Sequence, residues 1–377
     1  MKVYERILRP LLFSLTDPEK IHKTATYLLK IASTNRFVKN LVRKKTTFVD
    51  PALQVNIGQM VWQNPIGLAA GFDKDIHAPH AYSMLGFGSV EFGSITFEKQ
   101  PGNPKPRLWR IPKDKGLIIN YGLANNGALN AAKKLQKFNT ELAEDPKNSF
   151  QSKTYYGVSI APTSKIAFEH MAEDYAKTFD TLSSYADYIT LNISCPNVAS
   201  ASTTLQLSFI DELLSKIYGR QKNISSKKDI FIKIGAHHTE SELDRIIELA
   251  KTYALTGIIA TNLLKQKQKY SFNSSEKELS HPGGISGLPV QNVSDETIKY
   301  LYKKTDGKLC IIGVGGIFTA EDAYRKIKYG ANALQIITGF IYGGPLIVRT
   351  ICEGLVNLLK NDGFKSISEA VGKDVEK

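Results

Sequence analysis

The chain has 377 residues, 42% of them hydrophobic and 23% charged, and a formal net charge of +13 at pH 7. This ordinary globular composition excludes a disordered chain, a collagen-like repeat and a small disulfide-stabilised module. The three cysteines are too few and too widely spaced for a disulfide framework, a zinc site or an iron–sulfur site, and they favour a reducing compartment. Neither a membrane-spanning helix nor a secretory signal is predicted.

The positive charge is concentrated in residues 1–45. This segment holds eleven lysines and arginines against three acids, which is eight of the thirteen net charges. Apolar residues recur in it at helical spacing, and Asp17-Pro18 predicts the boundary between two helices. A pair of basic amphipathic helices is typical of a segment on an anionic membrane surface, but a helical cap with a solvated basic face has the same pattern. Nucleic-acid binding is less favoured because the basic residues alternate with aliphatic residues and not with aromatic ones.

A short hairpin is predicted at residues 53–64, and strands and helices alternate beyond it. The predicted strands are 66–70, 89–95, 155–160, 188–193, 230–234, 257–261, 309–314 and 333–337. The predicted helices between them include 129–138, 168–182, 240–253, 295–302 and 320–327. Eight repeats of this alternation predict an α/β fold, a (β/α)8 TIM barrel, at residues 49–377, with an N-terminal helical extension at residues 1–48. A doubly wound sheet is the alternative.

Functional residues of such a barrel lie at the carboxyl ends of the strands and in the following loops. Glycine turns follow the last two predicted strands, at 313–317 and at Thr338-Gly339. Such turns bind phosphate groups because backbone N–H groups can approach an anion closely. The glycines of 283–287 either extend this cradle or form a flexible loop.

Two further strand ends carry reactive side chains. A buried lysine such as Lys233 is costly unless it meets an anion or an electron-rich ring, so it either stabilises negative charge on a reduced flavin or forms a salt bridge in the barrel. Cys195 follows another strand in the segment Asn192-Ile193-Ser194-Cys195-Pro196-Asn197. That segment predicts a thiol presented to a polar planar ligand, with a buried structural cysteine as the alternative.

These segments resemble the motif series of the dihydroorotate dehydrogenase family over nearly the whole chain. The resemblance is carried by residues 69–74, 91–94, 100–103, 105–107, 192–197, 283–287, 312–317 and 363–372. Asp17-Pro18-Glu19-Lys20-Ile21-His22 resembles the N-terminal extension of class 2, the membrane-associated, quinone-reducing branch. This likeness favours the membrane interpretation of residues 1–45.

The resemblance implies an FMN-dependent enzyme that oxidises dihydroorotate to orotate in pyrimidine biosynthesis and passes the electrons to a quinone. The implied FMN-binding residues are Ala70, Gly71, Ser94, Asn192, Lys233, Thr261, Gly287, Gly316, Thr338 and Gly339. The implied substrate-binding residues are Lys74, Asn120, Asn192, Asn197 and Asn262. Cys195 would be the catalytic base that takes the C5 proton as a hydride leaves C6 for the flavin. His22 and Arg110 would lie at the quinone site.

The resemblance also implies where the protein acts and with what. The expected partners are dihydroorotate and orotate, a membrane quinone and an anionic membrane surface, with no nucleic acid. We expect a monomer or a weak oligomer, peripherally bound to a membrane on the side of a reducing compartment, as on the cytoplasmic side of a bacterial inner membrane.

Several positions depart from the family pattern. Cys195 stands where class 2 enzymes usually have serine, as in the soluble class 1 enzymes. Tyr121 lies where an arginine is expected, Ser159 replaces an asparagine, Leu263 a threonine and Ile337 a tyrosine. The segments 161–163 and 198–203 also differ from the family's usual sequence. A site that loses hydrogen-bonding partners discriminates substrates differently.

Three alternatives follow from these departures. One is a related flavin barrel that acts on another reduced pyrimidine or on an ene substrate. Another is a dihydrouridine synthase acting on tRNA, which is less favoured because no helical RNA-binding domain is predicted after Lys360. The third is a catalytically silent, membrane-bound flavoprotein.

Overall fold

The computed structural model describes residues 3–15, 17–144, 153–194, 203–222 and 227–376. Its strands are β1 Val55–Ile57, β2 Met60–Trp62, β3 Ile66–Leu68, β4 Ser89–Ile95, β5 Leu108–Ile111, β6 Gly116–Ile119, β7 Tyr155–Ile160, β8 Tyr188–Asn192, β9 Asp229–Lys233, β10 Gly257–Ala260, β11 Gly284–Gly287, β12 Cys310–Val314 and β13 Ala333–Ile336. Its helices are α1 Arg9–Leu15, α2 Pro18–Thr34, α3 Arg36–Thr46, α4 Pro79–Ser83, α5 Ala128–Glu144, α6 Met171–Leu182, α7 Thr203–Gln221, α8 Glu240–Thr252, α9 Glu276–Leu279, α10 Gln291–Thr305, α11 Ala320–Lys328, α12 Thr338–Gly343, α13 Ile347–Asn361 and α14 Ile367–Ala370.

Eight parallel strands form a closed barrel in the order β10-β12-β13-β3-β4-β7-β8-β9. Its strands are almost wholly buried, as expected where side chains fill the barrel interior and helices cover its outside. The (β/α)8 prediction is confirmed, and each predicted barrel strand ends within two residues of its observed end. The predicted hairpin is also confirmed, as β1 and β2.

A second, three-stranded antiparallel sheet, β11-β6-β5, is inserted into the barrel and was not predicted. Residues 283–287 are therefore not a flexible loop. Gly284 pairs with Ile119 and Gly287 with Gly116, so backbone hydrogen bonds fix this segment. Gly287 has φ +96°, and a Cβ there would lie 2.3 Å from the Lys115 carbonyl oxygen, so only glycine fits.

The described part of the N-terminal segment contains three α-helices, where the sequence pattern predicted two. A π-helical segment, Tyr4–Leu8, leads into α1, and α2 begins as predicted after Asp17, whose carboxylate accepts the Lys20 N–H at 2.9 Å. The third helix, α3, begins after Asn35, whose side chain accepts the N–H groups of Phe37 and Val38. The break between α2 and α3 contains neither proline nor glycine, which is why the pattern did not reveal it. Within the described ranges, no helix is both long and apolar enough to cross a membrane.

Polar contacts fasten these helices to the barrel. Glu19 of α2 is buried and forms two hydrogen bonds with Arg107, at 3.1 and 3.0 Å. The Tyr4 hydroxyl donates to the carbonyl of Ile341 at 2.7 Å, and Arg9 donates to that of Tyr342 at 3.0 Å. These bonds hold the Tyr4–Leu8 segment and α1 against α12, and they hold α2 against the segment that leads into β5.

A buried polar cluster supports the turn after β12. The ammonium group of Lys326, which is 0% exposed, lies 2.5 Å from the carboxylate of Asp295 and donates to the Ser294 hydroxyl at 2.9 Å. Ser294 in turn donates to the carbonyl of Val314, the last residue of β12, at 2.8 Å. The cluster therefore ties α10 and α11 to the glycine turn that follows β12.

We predict that Asp295→Ala lowers the free energy of unfolding by about 3–5 kcal/mol, because it leaves the buried Lys326 ammonium without its anion. Burial already lowers the pKa of Lys326 to about 8, and Asp295 opposes that shift. Urea denaturation followed by circular dichroism measures the change. Glu296→Ala is the control, since Glu296 forms an exposed pair with Lys299 on the same helix and its loss should cost less than about 1 kcal/mol. Equal urea midpoints for the two variants would contradict the prediction.

Candidate active site

A cavity of about 590 Å³ opens at the carboxyl ends of the barrel strands, under the β11-β6-β5 sheet. Cavities of about 300–1,000 Å³ are typical of sites for small molecules and cofactors. The turns after β3, β8, β10, β12 and β13 all contribute residues to its wall, as a (β/α)8 barrel requires.

Most of the predicted site residues line this one cavity. They are His22, Ala70, Gly71, Lys74, Ser94, Asn120, Asn192, Lys233, Thr261, Asn262, Gly287, Gly316, Thr338 and Gly339. Cys195 and Asn197 lie outside the described residues. Arg110 lies in a neighbouring groove beside Phe13 and Trp109, where it donates to the Phe13 carbonyl at 3.1 Å.

Amide and hydroxyl side chains form a connected network along one wall. Asn192 donates to the Ser94 hydroxyl at 2.9 Å, and the hydroxyls of Ser94 and Ser159 lie 2.8 Å apart. On the other side, Ser194 donates to the Asn192 side-chain oxygen at 2.7 Å and accepts a hydrogen bond from Asn262. The network fixes the orientation of both asparagine amides. Ser194 orients two predicted ligand-binding residues, and the sequence pattern did not predict this role.

Lys233 forms part of the cavity floor together with a buried carboxylate. Its ammonium group lies 4.0 Å from Glu91, which is 1% exposed. The other oxygen of Glu91 accepts hydrogen bonds from Thr190 at 3.0 Å and from Gln335 at 2.8 Å. Burial lowers the pKa of Lys233, whereas the Glu91 charge raises it. Lys233 therefore both forms a salt bridge and faces the cavity, so the two interpretations of this lysine are compatible.

The glycine turn after β12 presents backbone groups to the cavity. Gly315 and Gly316 have φ values of +120° and +68°, and a Cβ on Gly316 would lie 2.3 Å from that of Gln291. Among the described residues, their N–H groups donate to no protein acceptor. Consecutive free N–H groups in such a turn form an anion-binding concavity.

Lys74 and Asn120 lie on the opposite wall. The Lys74 ammonium donates to the Gly71 carbonyl and lies 3.9 Å from the ring centroid of Tyr121. Burial lowers the pKa of Lys74 to about 8. The side-chain oxygen of Asn120 accepts a hydrogen bond from Asn103 at 3.0 Å. This wall therefore offers a partly desolvated cation beside an oriented amide.

An apolar branch of the cavity reaches helix α2. His22 and Phe72 lie there edge to face, with ring centroids 4.8 Å apart, and Ile337 and Ile341 also line the cavity. Burial lowers the pKa of His22 to about 4. The imidazole is therefore neutral at pH 7, and it can exchange a hydrogen bond with an uncharged ligand.

The barrel and its site define a class of protein: a (β/α)8 barrel with an anion-binding glycine turn and a polar cavity at the carboxyl ends of its strands. The family model for dihydroorotate dehydrogenase matches residues 52–359, and the chain belongs to this family. It is 39% identical to the dihydroorotate dehydrogenase (quinone) of Trichodesmium erythraeum and 38% identical to that of a Nostoc species, in each case over 99% of both chains.

A solved structure shows the same architecture. The fold is similar to that of DHODH from Eimeria tenella in complex with ferulenol, with a TM-score of 0.84 and 28% sequence identity. The similarity covers 98% of this chain and 99% of the Eimeria chain, so it includes the N-terminal helices as well as the barrel.

Proposed function

We propose that this protein oxidises dihydroorotate to orotate with FMN as cofactor and a quinone as electron acceptor, a reaction of pyrimidine biosynthesis. One observation carries the proposal: a single cavity joins the anion-binding turn, the oriented amides and the buried lysine to an apolar branch ending at His22. The full-length similarity to relatives named dihydroorotate dehydrogenase (quinone) supports the same reaction.

The residues of the cavity fit FMN. The free N–H groups of Gly315 and Gly316 suit its phosphate, and a side chain on Gly316 would clash within this turn. Lys233 and the Ser94 and Asn192 network suit the polar edge of the isoalloxazine ring. When bound, FMN supplies the acceptor for the hydride that leaves the substrate.

The chain's own residues would bind the substrate and take its proton. Lys74, Asn120, Asn192 and Asn262 present a cation and hydrogen-bonding amides to an anionic pyrimidine. Hydrogen bonds with Asn103 and Ser194 fix the orientation of the three amides before the substrate arrives. Cys195 follows Ser194 in the chain and would accept the C5 proton. A thiol has a pKa near 8.5, so a thiolate is far more accessible at neutral pH than an alkoxide.

The apolar branch suits the quinone. His22 and Ile341 line it, and a neutral imidazole can hydrogen-bond to a quinone carbonyl. Arg110 does not line this cavity, since its guanidinium lies 4.6 Å from the Phe13 ring centroid and its hydrogen bond holds the end of α1. A quinone contact of Arg110 therefore rests on the family resemblance alone.

The N-terminal helices expose the apolar surface that membrane binding requires. The exposed apolar side chains are Val3, Ile7, Leu8, Leu11 and Leu12 near α1, Tyr27, Leu28 and Ile31 on α2, and Phe37 and Leu41 on α3. A large exposed apolar patch with basic residues around it marks an interaction with a partner or a membrane. We propose that this face rests on an anionic membrane, from which the quinone enters.

Anaerobic mixing with dihydroorotate should bleach the oxidised-flavin absorption band, and a quinone added afterwards should restore it. The first half tests substrate oxidation and the second tests the electron acceptor. Bound flavin that dihydroorotate does not bleach would contradict the proposed substrate. Bleaching that molecular oxygen or fumarate reverses but quinone does not would contradict the proposed acceptor.

Cys195→Ala should slow flavin reduction by dihydroorotate at least about 100-fold while FMN stays bound, because the base is lost. Cys195→Ser should retain part of the rate and need a higher pH, since an alcohol is a weaker acid than a thiol. Stopped-flow absorbance from pH 6 to 9 measures both rates.

Alkylation provides the control for that experiment. Burial raises the pKa of Cys310 to about 12 and that of Cys352 still further, so iodoacetamide should modify Cys195 first, and orotate should protect it. An alanine variant that reduces its flavin at the wild-type rate would show that Cys195 is not the base.

Phe37→Ser should weaken binding to vesicles that contain anionic lipid by about tenfold or more, because the Phe37 side chain is 77% exposed on the proposed membrane face. Leu129→Ser is the matched control: Leu129 is 67% exposed on the barrel helix α5, so its loss should leave vesicle binding unchanged. Co-sedimentation at low and high salt measures both variants. Equal binding of the two variants would contradict a membrane role for α3.

A further inference from the structure

Two cations lie over the ring of Tyr121, the residue that stands where the family pattern has an arginine. The Lys74 ammonium is 3.9 Å and the Arg107 guanidinium carbon 4.7 Å from its centroid. Both distances are within the range of about 6 Å for cation–π attraction, which is strongest where the groups are desolvated. Burial also raises the pKa of the Tyr121 hydroxyl, so the phenol remains neutral.

Arg107 cannot move away from this ring. Its guanidinium forms two hydrogen bonds with Glu19 and donates to the carbonyls of Pro101 at 2.9 Å and Asn103 at 3.0 Å. The Tyr121 carbonyl also accepts the Asn103 N–H at 2.9 Å. The Tyr121 ring therefore lies between the cavity and the Arg107 guanidinium, which these hydrogen bonds hold in place.

Lys74, by contrast, has few other restraints. Its ammonium donates to the Gly71 carbonyl, and among the described residues no carboxylate lies within 4 Å of it. A lysine side chain has a flexible four-carbon stem, so it needs neighbours to hold its charge in one place. Tyr121 is the aromatic neighbour that does so here, and it leaves ammonium protons available for a ligand in the cavity.

We propose that Tyr121 is a positioning residue, which holds the Lys74 ammonium in place for the carboxylate of the substrate. This inference rests on the proposed function, because it assigns Lys74 to an anionic pyrimidine. A neutral aromatic ring in place of the expected arginine also avoids a third positive charge beside Lys74 and Arg107. The arginine is thus replaced by a residue that attracts both cations.

The test compares Tyr121→Phe, which keeps the ring, with Tyr121→Leu and Tyr121→Met, which remove it. Orotate binding to the FMN-loaded protein is followed by the change in flavin absorbance, and steady-state assays give KM and kcat for dihydroorotate. We expect Phe to match the wild type within about twofold. Leu and Met should raise the orotate Kd and the KM by about threefold to thirtyfold, with a smaller change in kcat.

The pH dependence separates positioning from a general structural defect. Orotate affinity should fall as Lys74 loses its proton above about pH 8, and removal of the ring should move that midpoint to lower pH, because the ring stabilises the ammonium form. The other charged or titratable groups around Lys74 are Asp73, Glu19, Arg107 and His22, and they are the same in every variant.

Each outcome has a definite meaning. If Leu and Met bind FMN and keep the wild-type Kd and pH midpoint, Tyr121 does not position Lys74. If Phe is as impaired as Leu, the hydroxyl and not the ring is responsible, and the inference is wrong. If the wild type itself binds no orotate, the proposed function fails together with this inference. If Leu does not retain FMN, Met supplies the comparison.

Discussion

The eight parallel strands of the barrel end on one rim, and the whole site depends on that constraint. Residues far apart in sequence, such as Lys74, Asn192, Lys233 and Gly316, face one cavity because each follows or ends a strand. Parallel pairing fixes their relative heights as well: Asn192 lies opposite Lys233 in the register of β8 and β9. No single loop could provide this arrangement, because loops lack the rigidity that a closed sheet imposes.

The barrel interior also contains two charged side chains, each of which would be costly to bury alone. Glu91 and Lys233 are both almost fully buried, and each compensates part of the cost of desolvating the other. Thr190 and Gln335 hydrogen-bond to one oxygen of Glu91, which leaves the other nearest to the lysine. Removal of Glu91 would thus leave an unpaired positive charge under the cavity. A polar floor of this kind fixes Lys233 without filling the cavity above it.

The sequence was most informative where a regular period or a local motif decides the structure. Alternating strand and helix patterns predicted the barrel, and Asp17-Pro18 predicted the start of α2. The turns at the strand ends predicted most of the residues that line the cavity. The β11-β6-β5 sheet was missed because its strands are short and because β11 pairs with β6 across more than 160 residues. The Glu19–Arg107 and Tyr121–Lys74 contacts were missed for a similar reason, since side chains that meet only in three dimensions leave no periodic signal.

Helix α2 contributes to both the proposed quinone site and the proposed substrate site. His22 lines the apolar branch of the cavity, and Glu19, three residues earlier and on the same helix face, binds the Arg107 that packs on Tyr121. Tyr121 in turn contacts Lys74, which is proposed to bind the substrate. A shift of α2 would therefore disturb both the apolar branch of the cavity and the Lys74 ammonium. Glu19 is buried and forms two hydrogen bonds with Arg107, and these bonds fix the position of α2. One short helix segment can therefore contribute to both proposed sites.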